Sequence, residues 1–528
     1  MTPPYITLTG APIPLSALAQ IASGALRLRL SQEAAARVAA GRADFMAALA
    51  GGQAIYGATT GVGALRDTAQ EGGGIDAYSR ALPFAHQFAV GEEVSPEATR
   101  LTLALRLNTA LSGQLGVSVE FVHFLERMLA EDLLPVMNRR GSAGAADLGQ
   151  MGQLATVMAG EGMVRLKGRA MGAAEALALL GITPHPMPVR DGLAAIASNS
   201  FGLAKAALHV IRAGRILRRE MVLALMGAQA MGLDRQVWAA ARFNGLSQEV
   251  CIAGWLLAAA EGAQWPASGR VHDPLSARMI AQVFGAAANA ISEAGEAVHQ
   301  ETGHVDDNPV VIGGRVVTSG GSLLLSLSMR LSSVQLALGH LARNAFNRCL
   351  LMTNGQLEGL PVNLVPPGIV ATGYGPVMKL ALEQVVRVID ATAPVSVLNQ
   401  TVAAGLEDEA AFISLTAGRL REQLDAVEWL QAVEAMLAAQ ALDLRGRAPA
   451  PGVVALSYEM IRHHIPPLTV DRPLSANLTA LQQGLSAPDF DAALLAEAPF
   501  LPFDAILGIA PGAENPRNDN DLSAQESP

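Results

Sequence analysis

Long Ala- and Leu-rich runs at helical spacing constrain this chain more than any other feature. Phe201–Ala230, Ser276–His299, Leu323–Leu351, Gly375–Ala391 and Asp408–Leu442 repeat apolar residues with a helical period, and several are apolar on more than one face. A helix with one apolar stripe lies on a surface, whereas one that is apolar nearly all round must be surrounded by other helices. The spacing therefore predicts a bundle of long central helices. Shorter helices are predicted at Ser31–Ala50, with Ser31 as N-cap, and at Pro96–Ala110, Val119–Leu134 and Ala173–Leu180. β-branched residues are sparse. Strand-like sequence is confined to Ile6–Thr9 and to a hairpin of Val310–Ile312 with Val316–Thr318 across Gly313-Gly314. The chain reads as mainly α, with a loop-rich N-terminal part of mixed structure over 1–200. A long-helix bundle with C-terminal helices is expected over 201–510, and a polar, disordered tail over 511–528.

Composition narrows the function. With 51% hydrophobic and 16% charged residues, the chain is no disordered polymer. Its mean hydropathy is +0.30, yet the longest uncharged apolar runs, such as Met221–Leu233, are too short to span a bilayer. Apolar surface buried between subunits is the expected sink. A net charge of −10 without a basic block argues against nucleic-acid or anionic-membrane binding. Arg212, Arg215, Arg218 and Arg219 read as a solvated or interface face. The two cysteines form no CxxC pair, and the N-terminus shows no signal-peptide pattern, so a reducing, cytoplasmic setting is expected. His463-His464 has no ligand-spaced Cys, Asp or Glu, and no metal is expected.

In a helical protein, Gly-rich loops are where sites concentrate. Tyr56-Gly57-Ala58-Thr59-Thr60-Gly61-Val62-Gly63 is one, and it lacks the Lys-Ser/Thr of a phosphate cradle. Gly141-Ser142-Ala143-Gly144-Ala145-Ala146-Asp147, followed by Gly160-Glu161-Gly162, is another. Asp273 to Val283, with Ser276, Arg278 and Gln282, forms a third segment. Asp307-Asn308-Pro309-Val310 with Ser319-Gly320-Gly321 forms a fourth, and Leu360-Pro361, Gly373-Tyr374 and Glu407-Asp408 lie in later loops. On these motifs the chain resembles the histidine/phenylalanine ammonia-lyase family over roughly residues 5–510. The resemblance implies that Tyr56 is the catalytic base and that Arg278 clamps the substrate carboxylate. It also implies a homotetramer whose active sites draw loops from three subunits.

The departures from the family pattern are as informative. The family cyclises consecutive Ala-Ser-Gly into a methylidene-imidazolone electrophile, and the corresponding segment here, around Ala145, Ala146 and Asp147, has no serine at that place and is one residue short. The asparagine that meets the electrophile's oxygen falls on Ala197, with Asn199 two residues on, and a second active-site tyrosine falls on Leu275. Without the electrophile an ordinary amine is a poor leaving group. A trimethylammonium group has no N–H to lose and departs as neutral trimethylamine, so it needs only a base and charge stabilisation. The resemblance thus implies a cofactor-free carbon–nitrogen lyase like the family's ergothionase branch, acting on an amino-acid or betaine substrate of histidine type, with ergothioneine converted to thiourocanate. His86 and Glu407 match the residues that meet the imidazole. Lys379 is one of only three lysines against 34 arginines; it is a candidate to tune Tyr56 or the ring charge. Arg66 is a second candidate for the carboxylate, and Tyr374 joins the substrate-binding set. Two rival expectations remain: an ammonia-lyase or aminomutase with an unconventional electrophile, and a non-catalytic ligand-binding homologue.

Overall fold

The computed structural model describes residues 4–70, 74–265, 269–498 and the single positions 501, 504 and 507; the tail expected over 511–528 lies outside them. Its centre is a bundle of long helices: α1 (Ser200–Met231), α2 (Ile280–Glu301), α3 (Leu325–Thr353), α4 (Met378–Asp390) and α5 (Ile413–Leu444). α5 lies along α1, α3 and α4, and α2 packs between α1 and α3. Residues of α1 and α5 are buried on nearly every face, as their all-round apolar pattern requires. The stretch Asp191–Met231 is apolar and long enough to cross a membrane by composition, but 83% of its most apolar window is buried inside the fold. The main core runs without a break from Leu8 to Leu507, so residues on both sides of position 200 share it.

Local signals set most element ends. Ser31 caps Gln32–Ala50 by accepting from Ala34 N, and Ser95 caps Pro96–Ala110 in the same way. The hairpin Val310–Ile312/Arg315–Val317 turns on Gly313-Gly314, both with positive φ. Other predicted spans end early. Val119–Leu134 is helical only to Ala130; Asp132 takes φ 53° and the chain continues as strand Leu133–Pro135. Ser276–His299 divides into a turn, Leu275–Arg278, and α2, and α5 begins at Ile413, after Phe412 at φ 47°.

The arginine-rich face of α1 is not solvated. Arg218 and Arg219 are buried, paired with Asp504 and with Glu428 and Asp491 respectively, and Arg212 reaches Asp425 and Glu428 at 2.7 Å each. Deeper in the bundle Arg348 of α3 is fully buried between Glu220 of α1 and Glu434 of α5, at 2.8 Å from the latter. Such buried pairs contribute little net stability but leave a costly orphan charge if one partner is lost.

Candidate active site

Tyr56 follows Gln32–Ala50 in a loop that closes on itself. Thr59 Oγ1 accepts from Ile55 N at 2.7 Å, and Ile55 O takes the N–H groups of Ala58 and Thr59. Gly57 sits at φ +67°, and a Cβ there would lie 2.3 Å from Leu193 Cδ2, so the turn needs glycine for both backbone and space. The Tyr56 hydroxyl is held by the Gly63 N–H at 2.9 Å, and the next amide, Val62 N, donates to the Tyr78 hydroxyl at 3.0 Å. Burial pushes the Tyr56 phenol up from its usual pKa; the Gly63 N–H works against this, the Glu407 and Tyr78 groups add to it, and Arg66 opposes it.

The 141–147 loop is anchored from its far side. The Asp147 carboxylate is fully buried, accepts from Ser142 Oγ at 2.5 Å and from Gly202 N, in the first turn of α1, at 2.7 Å. Asp147 N donates to Ser198 O, and Phe412 N donates to Ala143 O at 2.9 Å. Gly144 takes φ +88°, and a Cβ there would meet Phe412 N at 2.6 Å, so both the backbone and the space require glycine. Ala145 and Ala146 follow in the loop and line the adjoining cavity, with Ala146 at φ 75°, a conformation unusual for a residue with a Cβ. Burial raises the Asp147 carboxyl to about 6 despite the Ser142 hydroxyl, the Gly202 amide and the Lys205 ammonium.

These two loops, with the end of helix Gly74–Ala85 and the turn 402–407, enclose a cavity of about 200 Å³. Tyr56, His86, Ala145, Ala146 and Glu407, five of the residues expected at the site, line it together with Ala197. His86 Nδ1 lies 2.8 Å from the Leu82 carbonyl. Donation there leaves Nε2 as the ring's free acceptor when the imidazole is neutral. Glu407 is fixed by the bridge between Val402 and its own backbone. Arg66 is half-buried beside the loop, 3.7 Å from Asp67, and reaches Tyr56 only through its field.

Other expected residues stand elsewhere in the chain. Asn199 is fully buried, with Nδ2 donating to the Ser322 carbonyl and Oδ1 without a partner among the described residues. Arg278 ends the turn Leu275–Arg278, half-buried, with Nε lacking a partner among the described residues. Tyr374 is buried in the main core, 3.5 Å from Arg472, where burial raises its pKa. Lys379 is exposed on the first turn of α4. None of the four lines the cavity. His463 and His464 meet edge-on at the end of helix Val453–His464, and no group of three possible metal ligands occurs among the described residues.

Asp306 was not anticipated as a site residue. It lines the cavity beside Asn308 and Ser322. Its Oδ2 accepts from Asn199 N at 2.5 Å and Ser198 Oγ at 2.9 Å, while Oδ1 has no hydrogen-bond donor among the described residues and lies 3.5 Å from Arg106. Burial raises its pKa, against the pull of Arg106. Its neighbour Asp307 has a different task, pairing with Arg106 at 2.5 Å and Arg190 at 2.7 Å to tie the 306–309 segment to the core. The cavity thus has two carboxylates, Asp306 and Glu407, a phenol and an imidazole, and no Lys or Arg among its described lining residues.

The bundle of long helices thus carries a cavity lined jointly by the tyrosine loop and the aspartate-anchored loop. A family profile described as aromatic amino acid lyase matches residues 13–463. The histidine ammonia-lyases of Gloeobacter violaceus and of Anaeromyxobacter sp. (strain K) are 31% and 30% identical, each over 90% of this chain and over 94% and 97% of their own. The chain belongs to the aromatic amino acid lyase family and is a carbon–nitrogen lyase. Its fold is that of solved members. Ergothionase from Treponema denticola, determined with desmethyl-ergothioneine sulfonic acid, superposes with TM-score 0.89 at 24% identity over 93% of this chain and 99% of its own. Histidine ammonia-lyase from Trypanosoma cruzi gives 0.86 at 24% over 95% and 97%.

Proposed function

We propose that this lyase works without a ring electrophile and expels trimethylamine from a histidine-derived betaine, converting ergothioneine to thiourocanate. The observation that carries the reading is the wall facing Tyr56. It is made of Ala145, Ala146 and Ala197, and the cavity beside it holds two carboxylates and no described cation. The residues do not fit the family's electrophile: the sole serine of the loop, Ser142, is outside the cavity lining and its hydroxyl is engaged by Asp147 and by Gly144 N. A small, methyl-lined recess flanked by negative charge suits a bulky cation that leaves as a neutral amine.

In this reading the Tyr56 phenolate takes the β-proton. The C–H electron pair becomes the new Cα=Cβ bond, and the C–N pair departs on trimethylamine. His86 Nε2 and Glu407 address the ring. The phenol's raised pKa within one chain requires further positive charge at the assembled site. Arg278 and Lys379 supply it if the chain is a homotetramer in which each site borrows loops from two other copies. Supporting this, Leu275 and Met279 are exposed around Arg278, and Leu382, Val386 and Ile389 form an exposed apolar stripe on the helix of Lys379. Apolar surface of this extent belongs in an interface.

The test is a substrate panel of ergothioneine, hercynine and histidine with the purified protein. Trimethylamine from a betaine and no ammonia from histidine is the expected result. Ammonia from histidine would overturn the reading in favour of the activity named for the 31%-identical relatives, and no turnover of any of the three would overturn it in favour of another substrate or none.

A further inference from the structure

A second cavity, of about 420 Å³, shares no lining residue with the first. Its wall is cationic. Arg139 and Arg140 enter from strand Asn138–Arg140, Lys205 from α1, and Arg419 and Arg421 from α5, while Glu422 is the one carboxylate among the described lining residues. Two helices present their N-terminal ends to it, through Ser95, the cap of Pro96–Ala110, and Ser414, in the first turn of α5. Helix N-termini carry partial positive charge and free N–H groups.

Nearby acids balance only part of this charge. Arg139 meets Glu92 at 2.6 Å and Arg421 meets Asp425 at 3.3 Å. Arg419 donates to the Asp390 carbonyl, and Lys205 Nζ donates to Ser414 O at 2.7 Å and Ser414 Oγ at 3.1 Å, not to a carboxylate. Arg140 is exposed and has no ion-pair partner among the described residues. Burial lowers Lys205 to about 8, with Asp147 and Glu422 opposing and Arg139 and Arg421 adding to it, and burial together with Lys205 and nearby arginines lowers His209 to about 3. The five cations of the lining thus outnumber the acids beside them.

We propose that this cavity is a binding site for a small, multiply charged oxyanion, with Arg140, Arg419 and Lys205 as its principal contacts and the two helix N-termini behind them. The site is separate from the reacting cavity, but Lys205 lies in the field of Asp147, the anchor of the 141–147 loop. Phosphate and polycarboxylate share the required chemistry, and the two sources are separated by probe. The experiment is calorimetric titration of the full chain with inorganic phosphate and, separately, citrate, at ionic strength held constant with potassium chloride. Saturable binding of at least one probe is expected. Arg140→Gln and, independently, Arg419→Gln should weaken it at least ~10-fold. Arg278→Gln, which removes the expected carboxylate clamp of the reacting site, should leave it unchanged. Binding of neither probe would overturn the proposal. So would binding that both Arg140→Gln and Arg419→Gln leave intact, or that Arg278→Gln abolishes.

Discussion

Replacing Asp306 by Asn tests the electrostatic reading of the reacting cavity most directly. Asn is nearly the same size, and its carbonyl oxygen can still accept from Asn199 N, so the segment keeps its main tether. What is lost is a negative charge in a buried setting. A trimethylammonium nitrogen packed against a carboxylate sits at about 5 Å, where two unit charges interact by about 3 kcal/mol at an effective dielectric of 20. Arg106, 3.5 Å from Oδ1, offsets part of this. Halving the term leaves about 1.5 kcal/mol, or roughly tenfold in affinity for the cation. The assay is KM and kcat for ergothioneine set beside the inhibition constant of 3-(2-thioimidazolyl)propionate, which keeps ring and carboxylate but has no ammonium. Asp306→Asn should raise KM for the betaine about tenfold and leave the inhibitor unchanged. Equal weakening of both ligands would refute the argument, because it would mean that Asp306 only holds the 198–199 backbone. An unchanged betaine KM would refute it as well.

Tyr56→Phe should lower kcat at least ~10² with little change in melting temperature, and a near wild-type rate would remove Tyr56 from the mechanism. Because the base acts as phenolate, kcat/KM should climb with pH as the phenol ionises; that limb should move up in Arg66→Gln, which removes a cation that favours the phenolate, and a profile that does not move would count against a phenolate base. Ser142→Ala should destabilise the fold by about 1–2 kcal/mol, since it leaves an Asp147 oxygen without its donor, while trimethylamine release stays within ~10-fold; complete loss of activity in a folded variant would point to chemistry at that serine. Asp147 is raised in the native state to about 6, so its contribution to stability is full below the ordinary carboxyl range and is lost as pH rises through about 6. The stability difference between wild type and Asp147→Asn should therefore shift against wild type by up to about 3 kcal/mol between pH ~4 and ~6, and parallel urea midpoints across that interval would show that Asp147 does not titrate there.

Much of the scaffold was legible because its signals are local. Ser31 and Ser95 mark their helices, and the Gly313-Gly314 pair marks its hairpin. The loops carrying Tyr56 and Ala145–Ala146 were likewise readable, since glycine at positive φ is a property of the short segment itself. What escaped depends on partners distant in sequence. Arg218 and Arg219 look like a solvated face until Asp504, Glu428 and Asp491 arrive from the C-terminal half. Asp306 was passed over because the motif was read from Asp307 onward, yet Asp307 is spent on Arg106 and Arg190 while Asp306 lines the cavity. Arg278, Tyr374 and Lys379 lie off the cavity for reasons that no short segment reveals: Tyr374 is drawn into the main core beside Arg472, Lys379 stands exposed on the first turn of α4, and Arg278 ends a short turn away from the lining.

The hold of Asp147 on Ser142 and Gly202 fastens its loop from the rear, while at the front Ala145 and Ala146 bring only methyl groups to the cavity. A mounting fastened from the rear tolerates a change of tool at the front. Evolution could strip the reactive fitting from such a mounting and keep the machine, and engineers wishing to install new chemistry at positions 145 and 146 would inherit the same freedom.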